Sequence, residues 1–289
     1  MSASRWGSGS VLAGRYRLEQ RIDGGAMGDV WRAEHLQLKS AVAVKLTRSG
    51  AVDANVMSRM AREAEAGAAL RGANVVQVLD HGVEDGDAYL VMELLQGESL
   101  KSRLDRSGAL APADVARILD ETCRAVGRAH KLGIIHRDLK PANIFLARDD
   151  DDALEVVKVL DFGAVKLTMS LLSGVETRTG AMIGTPYYMS PEQLRSSKHV
   201  DHRTDLWSLA IVAFQCLTGQ RPYAASSLAD LVVRIMTEAP PVPSKVASVP
   251  PGFDAWFERA IRRDPAQRFQ SAAELASELR TALVAVPQR

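Results

Sequence analysis

Two cysteines in 289 residues, Cys123 and Cys216, leave little scope for a disulfide framework. Both fall in apolar helical patterns and read as small buried hydrophobes. An excess of either charge is also missing. Lys+Arg 36 against Asp+Glu 35 gives a formal net charge of +1, which argues against nucleic acid or an anionic membrane as partner. Long apolar runs are absent too: the longest, around Leu209–Leu217, is too short to span a bilayer. No signal peptide stands at the start, where Met1–Ser10 is a polar Gly/Ser stretch that reads, to about residue 12, as a flexible leader. His35, His81, His199 and His202 show no metal-ligand spacing, and no internal repeat is visible. What remains is the expectation of a cytoplasmic protein in a reducing compartment, without a membrane segment and long enough to bury a large core.

The informative stretch runs from 130 to 163. His136-Arg-Asp138-Leu-Lys140-Pro-Ala-Asn143-Ile-Phe145 lies between apolar, strand-like segments, and Asp161-Phe-Gly163 ends the second of them. An isolated Asp or Asn in a loop is usually a turn former. Together these residues suit phosphoryl transfer: Asp138 can orient an attacking hydroxyl and Lys140 can offset charge on the moving group. Asn143 and Asp161 offer hard oxygen ligands for Mg²⁺, which keeps few protein ligands beside phosphate and water. The ordered string resembles that of the protein kinases, most closely the bacterial members of the eukaryotic-like serine/threonine class.

That resemblance implies an α+β, bilobal fold. A small β-rich lobe with one main helix is expected over 13–96, a larger mostly helical lobe over 97–283, and a tail over 284–289. Strands are expected at Tyr16–Ile22, Val30–Glu34, Ala41–Lys45, Val75–Gly82 and Ala88–Glu93, and the turn Ile22-Asp23-Gly24-Gly25-Ala26-Met27-Gly28-Asp29-Val30 resembles the nucleotide loop. Glycines there let backbone N–H groups lie against phosphate oxygens. Asp23 stands where the pattern has its first glycine, placing a carboxylate near the nucleotide; replacing it by Gly is expected to tighten ATP binding. Lys45 resembles the lysine that holds the α- and β-phosphates. Glu63, beside the apolar seam of a helix over 59–70, is its expected carboxylate, with Glu65 the competitor. Ala43, Met92, Glu93, Leu95 and Phe145 complete the implied ATP site, with the amides of Glu93 and Leu95 set to pair with adenine.

Past Pro112 a long amphipathic helix is expected, and Asp149–Asp152 reads as a solvated hairpin tip. The polar stretch 166–185 carries Thr177 and Thr179, at offsets resembling an autophosphorylated pair, and Arg137 is the guanidinium that would receive the new charge. Gly184-Thr185-Pro-Tyr-Tyr-Met-Ser190-Pro-Glu192 resembles the substrate-docking segment, with Thr185 part of it and Ser190 in place of the usual Ala. Asp205–Gly219 reads as a buried helical post whose Asp205 accepts backbone hydrogen bonds from the catalytic loop. By resemblance Arg268 pairs with Glu192. The implied activity is ATP-dependent phosphorylation of protein serine and threonine, with Mg²⁺ or in its stead Mn²⁺, and with a transient homodimer as a further partner. Two alternatives stay open: a pseudokinase scaffold, and a phosphotransferase acting on small molecules.

Overall fold

The computed structural model describes residues 5–25, 28–46, 70–149, 152–162, 186–195 and 200–284. Alternation of side chains along the first third of the chain builds one antiparallel sheet. Its strands are β1 (Val11–Leu12), β2 (Tyr16–Gly25), β3 (Gly28–His35), β4 (Ser40–Leu46), β5 (Val78–Glu84) and β6 (Asp87–Glu93), ordered β1-β2-β3-β4-β6-β5. Because successive side chains take opposite faces, the central strands β3, β4 and β6 each serve two cores. Leu18, Trp31, Ala33, Val44, Leu46 and Val91 pack on one face. Ala43, Leu90 and Met92 line the other with Val76, joined by Val30, Leu95 and Leu160.

The stretch expected as a flexible leader packs on this sheet from Trp6 and joins it at Val11–Leu12. Gly9 N–H donates to Leu18 O and Leu18 N–H returns to Ser10 O, both at 2.8 Å. Trp6 Nε1 donates to Asp87 at 2.9 Å, and Leu12 is fully buried. Composition misled because Gly and Ser here supply turns, with Gly9 at φ 88°, while Trp6 and Leu12 anchor the segment.

Beyond β6 the chain passes through residues 94–96 into β7 (Gly97–Ser99), which pairs with the hairpin β8 (Ile144–Asp149) and β9 (Asp152–Val159) in a second, three-stranded sheet. Asp149 and Asp152 stand opposite each other across the hairpin, and Asp150 and Asp151 lie outside the described residues. The other elements are helices: α1 (Leu100–Ser107), α2 (Pro112–Lys131), α3 (Pro191–Arg195), α4 (Arg203–Thr218), α5 (Leu228–Thr237), α6 (Phe253–Ala260) and α7 (Ala272–Leu283). Serine side chains cap α1, α5 and α7, each accepting a first-turn N–H, and Pro112 occupies the first turn of α2. Every residue of α4 except Arg203 and Gln215 is buried. The helix stops at Gly219, whose φ of 72° and close approach to the Gly108 backbone suit no side chain.

A second attachment joins the lobes. Val75 bridges Val159 in parallel, Val159 N–H donates to Asn74 O (2.9 Å) and Val76 N–H to Val159 O (3.1 Å). The Asn74 amide adds bonds to Glu121 (3.1 Å) and to Val157 O (3.0 Å). Among the described residues no helix is long and apolar enough to cross a membrane.

Candidate active site

The loop between α2 and β8 is bent before it is decorated. Arg137 takes φ 66°, a left-handed conformation unusual for a residue with a side chain. Asp205, buried in the first turn of α4, holds the bend by accepting the N–H groups of His136 (2.9 Å) and Arg137 (2.8 Å) and contacting His130 Nε2 (2.8 Å). Asp205 thus bonds the loop as expected. His136, fully buried, places Nε2 2.8 Å from Leu160 O and packs edge-on against Phe162, with ring centroids 4.8 Å apart. Leu160 N–H in turn donates to Asn143 O at 2.9 Å. The catalytic-loop motif and the segment ending β9 are therefore bonded together.

On that frame the functional side chains meet. Lys140 Nζ lies 2.6 Å from Asp138 Oδ2, and Asn143 Nδ2 donates to Asp138 O at 2.8 Å and to its carboxylate at 3.2 Å. Across the lobes, Lys45 Nζ donates to Asp161 Oδ1 at 2.7 Å. Asp161 also has a positive φ, 57°. Burial acts to raise its pKa, but the Lys45 ammonium beside it prevails and holds the carboxyl below its ordinary range. Asn143, with its amide nitrogen committed to Asp138, turns its oxygen elsewhere. An ionised Asp and an Asn oxygen make a hard donor pair that fits Mg²⁺, leaving other positions to phosphate and water. No group of three or more His, Cys, Asp or Glu placed to hold a metal ion occurs among the described residues.

The apolar wall above this chemistry is formed by Val30, Ala43, Met92 and Leu95, all expected, and by Val76, Val78, Leu90, Leu94 and Leu160, which the motifs do not flag. Phe145 is half-buried on β8, opposite Lys158 and Ser99. Ile22 is 49 % exposed on β2. Two expectations change. Glu93 N–H donates to Gln77 O at 3.0 Å, because the strand continues to that point, so this amide is already committed within the fold. Asp29 turns its buried carboxylate to Arg21 (2.8 Å), on the sheet face opposite Val30, so its side chain is directed away from the apolar wall. Asp23 accepts the Gly24 N–H at 2.7 Å. A Cβ at Gly24 would meet the guanidinium of Arg21, the far end of a half-exposed, flexible side chain that can turn aside. Ala26, Met27, Glu63, Thr177, Thr179 and Thr185 lie outside the described residues, as do Glu65 and Gly163.

The segment 186–192, expected to dock substrate, is held by α4 and the residues after it. Ser208 Oγ donates to Tyr188 O (2.8 Å), Tyr188 OH donates to Gln215 (2.6 Å), and Arg221 stacks on Tyr187 with its Cζ 4.2 Å from the ring centroid. Glu192 forms the expected fork with Arg268, both N–O distances being 2.7 Å.

An apolar wall under a β-sheet, a Lys–Asp pair joining two lobes, and a carboxylate braced by Lys and Asn make up a two-lobed, kinase-like arrangement. The chain belongs to the protein kinase domain family, which matches residues 16–278. It is 39 % identical over 279 residues to the serine/threonine-protein kinase pkn3 of Myxococcus xanthus, covering 94 % of this chain and 50 % of that protein. It is 37 % identical over 282 residues to PknH of Mycobacterium tuberculosis (97 % and 43 %). To PrkC of Bacillus subtilis it is 33 % identical over 276 residues (95 % and 41 %), both being serine/threonine-protein kinases by name. The chain therefore spans half or less of the length of these relatives.

Proposed function

We propose that the chain transfers the γ-phosphoryl group of ATP to serine and threonine hydroxyls of protein substrates, itself included. The observation that carries this is the bracing of Asp138 by Lys140 and Asn143 in a loop bonded to the segment of Asp161. In this reading Asp138 orients the acceptor hydroxyl and takes its proton, while Lys140 offsets charge on the transferring group. Lys45 moves between Asp161 and the α- and β-phosphates, with Glu63 as the carboxylate that steers it. Asn143 and Asp161 would hold Mg²⁺, or Mn²⁺ in its place, and the bound metal supplies charge neutralisation at the phosphates. Val30, Ala43, Met92, Leu95 and Phe145 enclose the base, and the loop from Ile22 to Val30 covers the phosphates.

Thr177 and Thr179 are the proposed autophosphorylation sites, and Arg137 their receiver. Its guanidinium has no carboxylate partner among the described residues, and a phosphate adds about −1.5 to −2 charges. Thr185 lies in the segment proposed to dock the acceptor chain. Access to ATP implies a cytoplasmic setting, and transfer between copies implies a transient homodimer. The test is radiolabelled ATP with the purified chain, with and without a generic basic protein, alongside Asp138→Asn. Label on Ser or Thr of both proteins, absent in the variant, is expected. ATP binding without any transfer would instead support the scaffold reading.

A further inference from the structure

Three buried polar side chains lie behind the docking segment, and the chemistry so far gives them no role. Ser190, Gln193 and Thr204 are 0 %, 2 % and 0 % exposed. Buried polar groups must find partners, and these do so in a directed chain. Ser190 Oγ lies 2.6 Å from Thr204 Oγ1 at the start of α4 and accepts the Gln193 N–H at 3.3 Å. Ser190 N–H donates to Gln193 Oε1 at 3.0 Å, and Gln193 Nε2 donates to Arg137 O at 2.8 Å. With an N–H on one side and a carbonyl on the other, the Gln193 amide has only one satisfied orientation.

The Arg137 carbonyl belongs to the peptide plane that immediately precedes Asp138. A peptide is rigid, so holding its two edges fixes its rotation. Gln193 holds the oxygen edge, and His136 Nδ1 accepts the Asp138 N–H at 3.3 Å on the other. Asp205 fixes the two N–H groups before the bend; Gln193 fixes the carbonyl after it. The direction in which Asp138 leaves the backbone is thus set from two elements. One of them, α3, continues directly from the docking segment.

We infer that Gln193 is a positioning residue for Asp138, and that Ser190, where the kinase pattern has Ala, locks Gln193 to α4. Substrate-segment order and carboxylate direction are then coupled through one side-chain amide. The inference rests on the kinase reading above.

The test uses Gln193→Met, which keeps length and loses the donor, and Gln193→Glu, which keeps shape and loses the donor when ionised. In Gln193→Met, kcat toward a protein acceptor should fall about tenfold, the scale of one hydrogen bond. The KM and Kd for ATP should stay at wild-type values. In Gln193→Glu, kcat relative to wild type should rise as pH falls, because the neutral carboxyl again donates to the Arg137 carbonyl; in Gln193→Met the ratio should not change with pH. Ser190→Ala, which restores the usual residue and will fold, should lower kcat in the same direction with less effect. A wild-type kcat in Gln193→Met, or in Ser190→Ala should the Met variant not fold, overturns the inference. So does a pH-independent ratio in Gln193→Glu. If wild type and Asp138→Asn transfer phosphate equally poorly, the kinase reading itself fails and this inference falls with it.

Discussion

Asp138 has two side-chain contacts with different parts to play: Lys140 pairs with its carboxylate, and Asn143 fixes its orientation. Asp138→Asn preserves shape but removes the proton acceptor, so turnover should drop at least about a hundredfold while nucleotide affinity persists. Titration calorimetry and a steady-state assay on the same preparation separate the two. Asp23 illustrates a residue whose meaning changes with geometry. From the pattern alone, a glycine there should tighten ATP binding. In the fold, Asp23 caps the Gly24 amide beside the Arg21–Asp29 ion pair, so Asp23→Gly releases the turn and should weaken ATP binding severalfold. An unchanged or lower Kd in that variant would show that the cap does not organise the loop. The grouping of Asp138, Lys140 and Asn143 was legible because their offsets confine them to one short loop. Gln193 was not, since a lone Gln in a short helix looks like any surface residue; it acquires meaning from a carbonyl 56 positions away.

Among the elements, α4 was the most legible, because a run apolar on every side has to be buried. The first strand was the least legible, since two residues carry no period and the Gly/Ser context suggested disorder. The Glu192–Arg268 fork shows how α3 is fastened to the end of the chain. Arg268 is fully buried at its side chain, donates to the carbonyls of Arg203, Arg262 and Arg263, and lies over Trp207. Arg268→Ala would leave Glu192 without its cation and should cost about 3–5 kcal/mol in chemical denaturation. Arg268→Lys should recover little, because an ammonium cannot fork. A variant as stable as wild type would make the fork ornamental. The start of α1 carries a pH dependence of its own. Arg106 and Arg103 hold the Glu98 carboxyl down to about 2, against an ordinary 4.5. A folded-state pKa below the unfolded one means the stabilisation is complete above 4.5 and disappears as pH falls through about 2. Thermal melts of wild type and Glu98→Gln should differ at neutral pH and converge toward pH 2; a constant difference would contradict the linkage.

At the scale of the molecule, Lys45 and Asp161 are 116 positions apart and meet only when the lobes are correctly set. Among the described residues the lobes are joined by residues 94–96 and again by Asn74–Val76 on β9. Sequence spacing could indicate the first joint, at the Gly after an apolar strand. It could not indicate the second, because the partner residues are remote in sequence. The Asn74 side chain anchors that second joint on Glu121 and Val157. Asn74→Ala should therefore raise the KM for ATP more than it lowers the melting temperature, and paired kinetic and calorimetric measurements would expose the opposite ranking.

Two joints also constrain geometry. One strip of chain lets a pair of bodies swing and twist in any direction, whereas two separated joints define a line about which they can only rock. Opening and closing then become a single angular coordinate, and the Lys45–Asp161 separation measures it. A spectroscopic ruler placed across the lobes should accordingly trace one continuous distribution of distances, narrowed from the open side when nucleotide binds, with sideways displacement of the small lobe missing from it.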